Sequence, residues 1–225
     1  EKVFKNISES GQWKAAIQGY LAAVSYADAQ LKRLFDELEK HPKLKENTII
    51  VFWGDNGWHL GEKHHFGKYT LWEEATRIPH IWVVPGLSKE NTVCAQTMDL
   101  MDIYPTLLEL CGIARPAHVQ GDSIVGLLKN PSAVQDKAAI STYRQNNHSI
   151  RKGPWRYTRY ANGSQELYNH DDDPYEWKNL AADPAHEKTI AELAAWLPKD
   201  NVPAQPVSQI FKDHLARQKA AAGKK

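Results

Sequence analysis

Apolar and polar positions fall into two regimes along this chain, and the change between them lies near residue 135. In the first regime Trp13, Ile17, Tyr20, Leu21, Val24, Leu31, Leu34, Phe35 and Leu38 recur at intervals of three and four, which predicts one long helix over 13–39, buried along one face. His41-Pro42 ends it, because proline disfavours helical backbone in the residue before it. After a polar link over 43–47, the consecutive apolar residues Ile49 to Trp53 predict a strand covered on both faces, as in a parallel sheet. Helix followed by buried strand is the repeating unit of a doubly wound α/β domain. The stretch from Gly54 to Lys68 is long for a connection in such a domain, and its tryptophan and glycines argue for a functional loop rather than a disordered one. Ile78 to Gly86 reads as a second buried strand closed by a Pro-Gly turn. Asp102 is placed to cap a helix that has Pro105 in its first turn, Leu107, Leu108 and Leu110 on its apolar side, and Cys111-Gly112 at its end.

Beyond residue 135, short alternating runs replace the helical spacing. Ala138–Tyr143 reads as a strand, and Trp155, Tyr157 and Tyr160 interleave with arginines before Asn162-Gly163, a strong hairpin signal, with Gln165–Tyr168 as the returning strand. A helix from about Pro184 to Leu197 is expected to pack on this sheet through Ile190, Leu193 and Trp196. Pro203 and Pro206 mark a loose connection into a tail with a frayed end. The expected organisation is therefore an α/β part over 1–134, a small antiparallel α+β subdomain over 135–200, and a tail over 201–225.

Composition excludes more than it identifies. The 225 residues are 42% hydrophobic and 24% charged, with a net charge of +1, so there is no general field to attract nucleic acid or a membrane. No apolar run approaches the ~20 residues that span a bilayer. Neither nucleic acid nor membrane is expected as a partner, and any anion must bind at a local site. The chain opens on Glu1-Lys-Val-Phe, which is no signal peptide and lacks an initiator methionine, so it is expected to begin within a longer protein. Cys94 and Cys111 lack metal-ligand spacing and read as two buried free thiols.

The chemistry concentrates at the end of the first strand. Asp55 and Asn56 stand side by side after Gly54, and the loop that follows carries Trp58, His59, Lys63, His64 and His65 before it reaches Lys68. A carboxylate and an amide oxygen suit a hard cation at the carboxyl edge of a sheet, and a lysine beyond them supplies charge for an anionic ester. On the dipeptide alone, an Asx turn completed by Gly57 is the plainer reading. His59 serves equally as a ligand contact or as a packed loop residue. Asp171-Asp172-Asp173 reads as a solvated turn, and the basic residues of 151–159 as the exposed face of a hairpin.

Several pieces in order resemble the C-terminal part of a type I, formylglycine-dependent sulfatase of the alkaline-phosphatase-like superfamily, similar to bacterial iduronate-2-sulfatase-like enzymes. They are Tyr20-Leu-Ala-Ala-Val-Ser-Tyr-Ala-Asp28, Asp55-Asn-Gly-Trp-His-Leu-Gly-Glu62, Lys68-Tyr-Thr-Leu-Trp-Glu-Glu-Ala-Thr-Arg-Ile-Pro79, Asp102-Ile-Tyr-Pro-Thr-Leu-Leu-Glu-Leu-Cys-Gly112, Gly121-Asp-Ser-Ile124 and Leu167-Tyr-Asn-His-Asp-Asp-Asp-Pro174. The resemblance spans 13–197 and implies the C-terminal portion of a doubly wound α/β sheet plus a small antiparallel α+β domain. It also implies that Asp55 and Asn56 ligate Ca2+ (Mg2+ as the alternative), and that Lys68 is the catalytic lysine at the sulfate and its leaving oxygen. Trp58, His59 and His65, with Arg144 and His148 from the small domain, are implied on the substrate rim.

The family's nucleophile is a formylglycine made in a C/S-x-P-x-R motif. Cys94-Ala-Gln-Thr and Cys111-Gly-Ile-Ala do not fit that motif, so the formylglycine and the remaining metal ligands are expected in an upstream part of the enzyme. The implied activity is sulfuric-ester hydrolysis on a sulfated carbohydrate in the periplasm or outside the cell, with this chain alone inactive. A phosphatase or phosphodiesterase of the same superfamily, and a non-catalytic glycan-binding chain derived from a sulfatase, are the alternatives.

Overall fold

The computed structural model describes residues 2–203. Helix α1 (Lys2–Glu9) leads into α2 (Trp13–Glu39), whose bounds are the predicted ones. Its burial is not: no residue of α2 is buried, and Leu21 and Leu34 are 56% and 64% exposed. The helix meets the rest of the described chain through its first half, where Trp13 packs edge-on to Phe4 and Tyr20 stacks on Trp58. The apolar stripe beyond is left open. A short helix, α3 (Pro42–Lys45), follows the predicted stop.

Strand β1 (Ile50–Trp53) pairs with β4 (His80–Val83), in register from Ile50↔Val83 to Trp53↔His80. The pairing is antiparallel, where a parallel one was expected. The connection between the two strands explains why. It holds two short paired strands, β2 (His59–Leu60) and β3 (Phe66–Gly67), and a single helical turn, α4 (Glu73–Thr76). A parallel return needs a crossover that packs on the sheet, usually a full helix. Nor is the pair covered on both faces, since Trp53 and Ile81 are exposed.

Helix α5 (Ile103–Leu110) ends at Cys111 as expected, but its capping differs. Asp99 is the cap of the preceding one-turn 3-10 helix Leu100–Asp102, accepting from the Met101 amide, and Asp102 completes the capping box on the Asp99 amide at 3.1 Å. Asp102 itself is fully buried, paired with Lys137 and accepting the Asp122 amide at 2.8 Å. A carboxylate out of water needs such partners. It ties α5 to the loop before α6 (Val125–Lys129) and to the entry of the second sheet. Cys94 is half-exposed and Cys111 exposed, both free, so neither is the buried thiol expected. Cys111 caps the open end of α5 rather than facing its packed side.

The C-terminal subdomain is a meander of β5 (Ala139–Thr142), β6 (His148–Lys152), β7 (Trp155–Arg159) and β8 (Gln165–Asn169), antiparallel throughout and in chain order. The Asn162-Gly163 hairpin joins β7 to β8 as expected. The predicted helix begins as a 3-10 turn, Pro184–His186, and continues as α7 (Glu187–Ala194). One face of the sheet packs Ile150, Tyr157 and Leu167 on Leu193 and Leu197, with Ile190 and Trp196 at the margin.

The other face corrects the expectation of a solvated basic hairpin. Arg156 is 2% exposed, and Ser149 and Thr158 beside it are buried. Residues alternate across a strand, so those opposite the α7 core are buried when a second layer lies on them. Here that layer is the segment from Glu62 to Glu73. Residues 204–225, with Pro206, lie outside the described residues.

Candidate functional site

At the end of β1 the Gly54 amide donates to the Pro79 carbonyl at 3.2 Å, and the chain turns through Asp55, Asn56 and Gly57. The Gly57 amide donates to the Ala75 carbonyl of α4 at 2.9 Å, so that helical turn backs the Asp55-Asn56 pair. Gly57 is required for this approach: a Cβ there would sit 2.9 Å from the Arg77 carbonyl oxygen and closer still to that of Glu74. The Asn56 side-chain amide donates to the Gly57 carbonyl at 2.9 Å, which directs its Oδ1 away from the backbone. That oxygen accepts from Lys68 Nζ at 3.0 Å.

The candidate ligand and the candidate lysine are thus in contact across twelve residues of chain. Asp55 is exposed, and its carboxylate has no partner among the described residues. It lines, with Asn56, an open cleft of about 670 Å3 that runs on to Arg77, Gln96 and Arg151. The donor set fits a hard cation: a free carboxylate beside an amide oxygen already turned toward a positive charge.

The hairpin β2–β3 delivers Lys68. His65 Nε2 donates to the Lys68 carbonyl at 2.9 Å, so this ring holds the lysine's backbone. His59 is fully buried, its Nε2 2.7 Å from Thr70 Oγ1 and its ring edge-on to His65 and Trp72. Burial, reinforced by His65, lowers its pKa to about 4, so His59 is neutral at physiological pH. Trp58 is packed between Tyr20 and Phe66. His148 is buried, with Nδ1 2.9 Å from Thr142 Oγ1 of β5 and Nε2 2.6 Å from Asn201 Oδ1 beyond α7, so both ring nitrogens are engaged. Asp55, Asn56 and Lys68 therefore converge, His65 supports them from behind, and Trp58, His59 and His148 are turned inward. Arg144 is exposed, its guanidinium 5.2 Å from the Tyr143 ring centroid.

An unforeseen feature lies behind the site. Glu73, at the start of α4, pairs with Arg156 and stands 3.5 Å from Arg151 and 3.6 Å from His170. Glu176, 2% exposed, lies 2.7 Å from Arg156 Nε and 3.0 Å from His170 Nε2, and accepts the Glu73 amide at 3.0 Å. Lys63, from the loop that leads to Lys68, donates to the Glu176 carbonyl, with its ammonium 4.8 Å from the Trp72 ring centroid and 4.7 Å from that of Tyr168. Burial opposes charge on Glu73, but His170 and Arg156 hold its carboxyl well below the ordinary range, and both glutamates raise His170 against its own burial.

Glu73, His170 and Glu176 are spaced closely enough to grip a metal. Two arginines already neutralise the two carboxylates, so the cluster is a closed ion-pair network with no charge left over for a cation. The one sequence signal for it was Arg156 falling on the face opposite Trp155 and Tyr157 in an alternating strand.

Fold and site together define an alkaline-phosphatase-like α/β protein with a small antiparallel C-terminal subdomain. The sulfatase family profile matches residues 1–113, and that of the C-terminal part of N-sulphoglucosamine sulphohydrolase matches residues 61–202. The chain belongs to the sulfatase family. It is 42% identical over 192 residues to a sulfatase of Formosa agariphila, covering 85% of this chain and 38% of the relative. A solved enzyme in complex with its substrate D-glucosamine-2-N,6-O-disulfate superposes with a TM-score of 0.72 at 30% identity, covering 83% of this chain and 40% of that one. The phosphonate monoester hydrolase of Silicibacter pomeroyi superposes at 0.66 and 25% identity, covering 75% and 37%. The chain thus spans well under half the length of the relatives it matches.

Proposed function

We propose that this chain is the downstream part of a sulfuric-ester hydrolase that removes sulfate from a sulfated carbohydrate. The observation that supports the reading is the Lys68 Nζ–Asn56 Oδ1 contact of 3.0 Å beside the free Asp55 carboxylate, two candidate oxygen ligands and an ammonium at one strand end. Asp55 and Asn56 would hold Ca2+, with Mg2+ the alternative, and the ion would draw negative charge off the sulfate. The amide at the second position favours a hard ion over zinc, which histidine would suit better. A formylglycine in another part of the enzyme would supply the nucleophile.

Lys68 acts at the leaving oxygen. Negative charge develops there as the S–O bond breaks, so a fixed ammonium favours the transition state over the ground state. His65 holds the lysine's backbone, and α4 holds the turn of the ligand pair. The open apolar stripe of α2 and the exposed residues of β1 and β4 suit packing against the rest of the enzyme. Action on an extracellular polysaccharide implies the periplasm or secretion, and no helix among the described residues is long and apolar enough to cross a membrane.

The test uses the intact enzyme and 4-nitrophenyl sulfate. Lys68→Ala is expected to lower kcat about 10²–10³-fold, the cost of losing one charge-stabilising donor, and elemental analysis is expected to find one calcium. Two zincs would favour the phosphoesterase alternative, and turnover by residues 1–225 alone would overturn the assignment of the nucleophile to another part.

A further inference from the structure

His170 stands where two arms of the buried network meet. Its amide donates to the Pro154 carbonyl at 2.8 Å, which fixes its backbone just past β8, and its side chain is 8% exposed. Both ring nitrogens face carboxylates: Nδ1 lies 3.6 Å from Glu73 Oε1, and Nε2 lies 3.0 Å from Glu176 Oε1. A neutral imidazole has one N–H and one lone pair, so in either tautomer a lone pair would be turned on an anionic oxygen. The imidazolium donates to both. The other charged groups packed here are Arg156 of β7, paired with both glutamates, and Arg151 of β6, 3.5 Å from Glu73. Both arginines meet Glu73 through Oε2, so its Oε1 is left facing His170.

The two carboxylates lead to different parts of the candidate site. Glu73 opens α4, whose Ala75 carbonyl accepts the Gly57 amide at 2.9 Å and so backs the Asp55-Asn56 turn. Glu176 accepts the Glu73 amide at 3.0 Å through Oε2 and holds Lys63, on the loop that leads to Lys68, at its carbonyl. Burial works against a charge on His170, but the bonds to Glu176 and Glu73 outweigh burial and Arg151 together and hold its pKa above the ordinary 6.5.

We propose that His170 is a positioning residue: as the imidazolium it pins the α4 arm to the Lys63 arm, and loss of its proton at alkaline pH frees the Asp55-Asn56 turn and Lys68 from their shared anchor. The proposal rests on those three residues being the working groups of the hydrolase. A histidine that binds its proton more readily folded than unfolded lends stability that is fully present below pH 6.5 and is lost as pH rises through the folded pKa. Turnover follows in the same direction.

The intact enzyme and its His170→Gln variant, which keeps an N–H donor without the charge, are assayed on 4-nitrophenyl sulfate between about pH 5.5 and about pH 9. At the acid end kcat of the wild type is expected to exceed that of the variant about 10–100-fold, the cost of a misplaced catalytic group, with KM little changed. The ratio is expected to close as pH rises through the pKa of His170, and ionisations common to both proteins cancel from it. A histidine with a merely structural role gives a ratio that does not vary with pH, and that result overturns the proposal. Nitrogen NMR of the wild type reads the same pin without a variant and without turnover. The His170 ring is expected to keep protons on both nitrogens past pH 6.5, and the Gly57 and Lys68 amides to shift at the same midpoint. A ring that titrates below 6.5, or amides that do not follow it, overturns the proposal. If the intact enzyme hydrolyses no sulfate ester, the hydrolase reading fails, and the NMR titration alone upholds or overturns the pin.

Discussion

Replacing Gly57 by alanine tests whether α4 fixes the turn of Asp55 and Asn56. The Gly57 Cβ position lies 2.9 Å from the Arg77 carbonyl oxygen and nearer to that of Glu74, and both obstacles are backbone, which cannot rotate aside. Accommodation needs α4 and the turn to separate by more than an ångström, with loss of the 2.9 Å bond from the Gly57 amide to Ala75. Overpacking costs about 1–3 kcal/mol, and the lost hydrogen bond adds about 1 kcal/mol. Gly57→Ala should therefore destabilise by about 2–4 kcal/mol, a fall of several degrees in Tm.

Gly126→Ala is the matched control, because its Cβ meets nothing within 4 Å inside α6. It should stabilise by about 0.4–1 kcal/mol through helix propensity and a less free unfolded chain. The assay is thermal unfolding of the intact protein with calcium titrated by calorimetry. Gly57→Ala should also bind calcium more weakly if Asp55 and Asn56 are the ligands proposed, since both ride on the displaced turn. A Gly57→Ala protein that melts within a degree of wild type and binds calcium as tightly would refute the reasoning.

Two further outcomes are expected. Glu176→Ala leaves Arg156 buried with half its neutralisation gone and should cost about 3–5 kcal/mol; urea unfolding that shows a loss under about 1 kcal/mol would mean that solvent reaches the network. His59, held to about pKa 4 against an ordinary 6.5, binds its proton less readily folded than unfolded, so its contribution is fully present above pH 6.5 and drains away as pH falls toward 4. That drain amounts to about 3 kcal/mol at most, and an imidazole shift titrating near 6.5 in an NMR pH series would contradict it.

The elements legible in the sequence are those fixed by local pattern. The bounds of α2 follow from apolar spacing and the proline after His41, and the β7–β8 hairpin from Asn162-Gly163 between alternating runs. What the pattern could not carry was which face meets which neighbour. The α2 stripe has the amphipathic spacing of a packed helix, yet packing depends on a partner surface that no spacing encodes. Ile49 to Trp53 signals apolar surroundings but is silent on strand direction, which here is set by the one-turn helix in the connection. Asp55, Asn56 and Lys68 were readable as chemical types, while the inward turn of His59 and His148 came from partners eleven and fifty-three residues away.

The buried network explains how a loop of this length holds a lysine in place. Glu176, in the left-handed conformation at φ 58° and almost wholly buried, takes Lys63 on its carbonyl and the Glu73 amide on its carboxylate. Those two contacts clamp the loop on either side of Lys68, and the Trp72 indole donating to Glu166 at 2.7 Å adds a third anchor. A segment tied on both sides to the C-terminal subdomain loses most of its freedom before any substrate arrives, which on the proposed mechanism would lower the cost of positioning the ammonium at the reacting oxygen. On the proposed mechanism the small subdomain would act on the chemistry through the loop's anchors. Substitutions at Glu176 should then weaken kcat as well as stability, although Glu176 touches none of Asp55, Asn56 or Lys68.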